Sequence, residues 1–166
     1  MSSQGKSMTP KEAAAVLINA MPVGVSDSQL EEYGITPGPE RAQNISRELL
    51  SLNLFWVFVA IEAHIPQKYQ PAVSELVLAA VKNGWGTTYP VGAVVFPSYL
   101  DEWKERTRRY ERLVRDGVSP LAISTEVAAT MEEQRIIDEE DRRNLLTLFI
   151  DYVPLETYGQ LLENVG

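Results

Sequence analysis

Hydrophobic positions recur at helical spacing along nearly the whole chain. The longest run of them is Ile45, Leu49, Leu52, Trp56 and Val59, whose alternating steps of four and three trace one face of a helix. Asn44, Arg47, Glu48 and Ser51 fall on the other side, so the first half of this segment reads as amphipathic with a polar outer face. From Leu54 to Ile61 there is no polar side chain, and Phe55 and Phe58 take over the polar side. A helix that is apolar all round is enclosed by other elements. The pattern therefore predicts a central helix over about 40–65 whose C-terminal half is covered on every side.

The flanking segments carry helix starts and stops. Thr9-Pro10-Lys11-Glu12 joins a capping side chain, a first-turn proline and a Glu three residues on, and predicts a helix to about Ala20. A short helical turn is expected near Asp27–Tyr33, capped by Ser26 or Asp27. Val73, Leu76, Val77, Ala80 and Val81 form the stripe of a helix from Gln70 to Asn83, stopped by Gly84. Ser98 is the expected cap of a helix to Asp116, with Tyr99, Trp103, Tyr110, Leu113 and Val114 buried and Gly117 as its stop. Ser119-Pro120 opens the next helix, with Leu121, Ile123, Val127, Ala128 and Met131 facing inward. The acidic run Asp138–Asp141 favours a helix start near Ile137 through the macrodipole. That helix carries Leu145, Leu146, Leu148, Phe149 and Ile150, and Pro154 opens a last short one.

Residues 84–97 break the pattern with three glycines, two prolines and three aromatics. Val91–Phe96 has the composition of an extended segment but no partner strand elsewhere. The expected fold is an all-α, single-domain bundle of six or seven helices around the central one, spanning 9–166. One long irregular loop (84–97) interrupts it, and 1–8 form a disordered leader.

Composition narrows the chemistry. With no cysteine and one histidine among 166 residues, thiol catalysis, iron–sulfur ligation and zinc–thiolate sites are excluded. The absence of cysteine is compatible with a reducing, cytoplasmic setting. A net charge of -8 opposes nucleic acid and anionic membrane at long range. The clean apolar run is eight residues, whereas a spanning helix needs about 20. Neither nucleic-acid nor membrane partnership is expected.

Four groups of residues remain as candidates. Glu62 and His64 could do acid–base work, but residues two apart on a helix point in different directions. A terminal His that complements the helix dipole is the expected role. The acids at 132–133 and 138–141 lack the spacing of a calcium loop or a di-iron bundle, so no metal and no cofactor is expected. Arg108, Arg112 and Arg115 share one helix face and could meet an anion or an acidic partner. Residues 98–116 hold six basic and five acidic side chains, so a self-paired face, docked for instance on the acidic 132–141 region, is the expectation. In the 84–97 loop, Trp85 and Tyr89 could stack on a ligand, with Thr87, Thr88 and His64 adding polar contacts. The loop has neither a P-loop ending nor a dinucleotide fingerprint.

No catalytic residue is assigned. The leading expectation is a non-enzymatic cytoplasmic interaction or regulatory protein, acting through protein contacts as a homodimer. The alternative is a small-molecule sensor with a pocket between the central helix and the 84–97 loop. An enzyme of unassigned reaction stands third.

Overall fold

The computed structural model describes residues 8–38, 40–89 and 92–163. Apart from Met8, the expected leader lies outside the described residues, as do Pro90 and Val91 of the 84–97 loop, the latter opening the expected extended segment. The described chain is an all-α bundle: α1 (Pro10–Ala20), α2 (Asp27–Glu32), α3 (Arg41–His64), α4 (Gln70–Asn83), α5 (Phe96–Arg115), α6 (Pro120–Glu133), α7 (Arg142–Tyr152) and α8 (Leu155–Leu162). Seven of these have eight residues or more, and α2 has six.

Local chemistry sets the ends. Thr9 accepts from the Glu12 amide at 3.1 Å while Glu12 returns to the Thr9 amide at 3.2 Å, closing the predicted capping box. Ser26 and Gln29 build a second box on α2. Ser119 caps α6, and α4 ends at Gly84. Helix α5 stops with Gly117 in the left-handed region (φ 81°), the Gly117 amide donating to Val114 and the Val118 amide to Leu113. The end of α6 makes the same two bonds, but there the left-handed residue is Arg135 (φ 61°), which carries a Cβ where glycine is preferred.

α3 divides two apolar clusters. On one side Leu50, Leu54, Val57 and Ile61 pack with Ala13 and Leu17 of α1, Val73 and Val77 of α4, and Tyr158 and Leu162 of α8. On the other, Ile45, Leu49, Leu52 and Phe55 pack with Leu30 of α2, Tyr110 of α5, Ile123 and Val127 of α6, and Leu148 and Phe149 of α7. Trp56 touches both clusters.

Several expectations need correction. Every residue from Glu48 to Phe55 is buried, including Glu48 and Ser51, which the sequence pattern assigns to a polar outer face. The C-terminal half of α3 is the less enclosed one: Phe58 is half-buried and Val59 is 37% exposed. Helix α5 begins at Phe96, not after Ser98. Pro97 is tolerated in a first turn, and Phe96 packs on Trp85 (ring centroids 5.3 Å). The connection after α4 is correspondingly shorter. α7 begins at Arg142, preceded by a 3₁₀ turn over Glu139–Asp141. Val114, Leu121 and Ile150, expected inside, are exposed.

Candidate functional site

Where the first half of α3 meets α5, the contact is polar. Asn44, Glu48, Ser51 and Phe55 share one stripe by their steps of four and three. Tyr99, Trp103, Arg106 and Tyr110 make the matching stripe on α5. Arg106 Nε lies 3.2 Å from Glu48 Oε1, and the Tyr110 hydroxyl donates to the other Glu48 oxygen. Arg106 Nη1 reaches Glu102 at 3.1 Å and Ser51 Oγ at 3.3 Å. Arg47 joins from α3 through Glu102 at 3.3 Å. The single Ser51 hydroxyl proton goes to the Arg47 carbonyl at 2.9 Å, so in the 2.9 Å contact with Tyr99 it is the tyrosine that donates.

Titration in this seam follows its burial. Desolvation pushes the Tyr99 hydroxyl up, and the nearby Arg106 cation eases it only in part. Tyr110 is raised well above the ordinary tyrosine value, first by burial and then by the Glu48 carboxylate. Burial pulls the Arg106 guanidinium down, but Glu48, Tyr110 and Glu102 together outweigh it and raise it. None of the five grooves described below is lined by Glu48, Ser51, Tyr99, Arg106 or Tyr110. The arrangement fastens α5 across α3.

A second buried polar residue works on the far side of α3. Asn53 donates to the Leu49 carbonyl at 2.9 Å and to the Tyr152 carbonyl at 3.0 Å, and accepts from Tyr158 at 2.6 Å. Tyr152 is the last residue of α7, so α3 supplies a partner for one of the four carbonyls a helix end leaves unbonded.

The residues singled out from the sequence are dispersed. Trp85 and Tyr89 come together across a tight turn, with Tyr89 buried against Gly84; a Cβ on Gly84 would stand 2.9 Å from the tyrosine ring. Trp85 lies on Tyr99 (4.8 Å) and donates to the Val94 carbonyl at 2.7 Å. Thr87 and Thr88 are exposed. His64 is exposed near Gly159 of α8. His64 precedes α4 and Trp85 follows it, and 14 helical residues span about 21 Å, so the structure does not gather His64 with the loop. Arg108, Arg112 and Arg115 are exposed and make no ion pair among the described residues. The 132–141 acids are engaged by other arginines: Arg41 reaches Asp141 at 3.1 Å and Asp138 at 3.7 Å, and Arg142 reaches Glu132 at 3.2 Å. Among the described residues no cluster of three His, Asp or Glu side chains is arranged to hold a metal ion.

Two open apolar grooves were not anticipated. One, of about 480 Å³, lies between α6, α7 and α8 and is lined by Leu121, Phe149, Ile150, Val153 and Leu155. Its rim carries Leu121 and Ile150, 56% and 54% exposed. The other, of about 270 Å³, lies between α3 and α5 and is lined by Phe55, Phe58, Val59, Thr107 and Val114. The spacing held a signal for the first. Leu121 lies two residues before Ile123, on a different side of α6. Leu145, Leu148 and Phe149 already fill the inward face of α7, leaving Ile150 outside. Three further grooves are bordered by charged side chains, among them Glu140 and Arg143, Glu40 and Arg47, and Arg41 and Arg135.

No family model, curated protein or solved structure matches this chain.

Proposed function

We propose that this protein is a non-enzymatic cytoplasmic interaction protein that acts as a homodimer, with the α6–α7–α8 groove as its self-contact. The carrying observation is that two of the most exposed large apolar side chains, Leu121 and Ile150, stand beside an open apolar groove. Exposed apolar surface of this kind is a mark of an interaction site. Of the grooves described, charge opposes a second copy least at this one. A chain of net charge -8 repels its own copies over most of its surface. This groove has one charged lining residue, Glu156, whereas each of the other four has at least two. A two-fold contact lets the rim side chains of each copy enter the groove of the other.

Light scattering over a concentration series tests this. Wild-type protein is expected to be a dimer at micromolar concentration, Leu121→Glu and Ile150→Glu monomers, and Val95→Glu, at another exposed apolar position, still a dimer. A monomeric wild type, or dimers that survive both groove substitutions, would overturn the proposal.

A further inference from the structure

The α3–α5 groove shares no lining residue with the self-contact above, and it has a chemical peculiarity of its own. The indole N–H of Trp103 and the hydroxyl of Thr107 are sealed from solvent and have no hydrogen-bond partner among the described residues. They lie one turn apart on α5 and therefore on one face. Native proteins leave few such groups unpaired, and each one asks for a reason. Thr125, Thr130 and Thr147 donate to the carbonyl four residues earlier, the usual resort of a helical threonine; Thr107 does not. Thr107 lines the groove itself. Trp103 is outside the lining but packs on Phe58, a half-buried lining residue whose ring centroid is 5.7 Å from the indole.

We propose that this groove binds a small neutral molecule with an apolar body and a carbonyl-type acceptor, received by Thr107 and Trp103 as Phe58 turns aside. The chemistry follows from the donors. An indole N–H can only donate, so the ligand must bring an acceptor, and a carbonyl oxygen has two lone pairs for two donors. Phe55, Val59 and Val114 supply the apolar walls. Glu62 and Glu111 against a single Arg115 disfavour an anion, which argues against a fatty acid or a phosphate.

Acetophenone is a suitable probe, and ethylbenzene the same shape without the acceptor. Titrated into ¹⁵N-labelled protein, acetophenone is expected to move one indole N–H resonance downfield to saturation, the resonance missing in Trp103→Phe. Ethylbenzene, which forfeits both bonds, should bind about a hundredfold more weakly, and acetophenone about tenfold more weakly to Thr107→Val, which forfeits one. Thr107→Val should fold at least as stably as wild type, because it deletes an unpaired buried hydroxyl. The proposal fails if no saturable shift reaches the Trp103 resonance. It also fails if ethylbenzene binds as well as acetophenone, or if Thr107→Val binds acetophenone unchanged, since the groove is then only an apolar crevice.

Discussion

α3 is buried on two flanks by two different chemistries. Toward α1, α4 and α8 it presents Leu50, Leu54, Val57 and Ile61 to other hydrocarbon side chains. Toward α5 it presents Glu48 and Ser51 to Arg106, Tyr99 and Tyr110. Apolar contact is non-directional and tolerates sliding. The polar flank does not, since Tyr99, Arg106 and Tyr110 of α5 meet particular acceptors on α3, Ser51 and Glu48. The first flank supplies most of the driving force and the second fixes where α5 crosses. A buried ion pair is weak evidence for stability in itself but can specify one arrangement over others.

The largest expected effect comes from breaking the polar flank unevenly. Arg106→Ala leaves the Glu48 carboxylate, 3% exposed, without its cation, and should cost about 3–5 kcal/mol in a denaturant titration. The triple variant Glu48→Leu/Arg106→Leu/Tyr110→Phe should lose less than Arg106→Ala alone. If it loses more, the seam is a net source of stability and the division of labour between the flanks is wrong. On the apolar flank, Leu17→Ala at a fully buried position should cost about 3 kcal/mol by cavity formation. It should leave the alkaline behaviour below unchanged.

The smallest effect is the most diagnostic of the polar flank. Tyr99 and Tyr110 in the polar flank, and Tyr158 on the α8 side, hold their protons above the ordinary tyrosine value of 10.0. Above that pH the unfolded chain releases these protons and the folded chain keeps them. Their contribution is therefore complete below pH 10 and is lost as pH rises from there toward the folded values. Each buried tyrosine should steepen the decline by about 1.4 kcal/mol per pH unit. Tyr110→Phe should remove one such increment from a stability profile taken above pH 10, and an unchanged slope would mean that Tyr110 titrates freely in the native state.

The two flanks also differ in how far the sequence reveals them. The apolar flank and the helix ends were legible because they rest on local signals: the Thr9–Glu12 box, Ser119, Gly84 and the stripe of Val73, Val77 and Val81. The polar flank was hidden because hydrophobic periodicity scores Glu48 and Ser51 as solvent-facing, and their partners lie some fifty residues away on α5. Its trace was Arg106, which stands in step with Tyr99, Trp103 and Tyr110 and interrupts an otherwise aromatic stripe. Of the candidate site residues, Trp85 and Tyr89 do pair, through a turn their glycines permit. His64 lies apart because α4 intervenes. Leu121 and Ile150 were absorbed into inward stripes too wide for one helix face. Exposure on a helix with apolar residues on several sides depends on its neighbours, which no local pattern contains.

Because α3 is the common wall of both clusters, neither half of the molecule can open without exposing part of it. Amide hydrogens between Glu48 and Phe55, where every residue is buried, should exchange with deuterium only through global unfolding. Those of α2, six residues long and held at the periphery by the Gln29–Tyr152 and Tyr33–Asp151 bonds, should exchange through smaller, independent openings. The slowest protons in the protein would then outline a single rod, with the rest of the chain loosening around it.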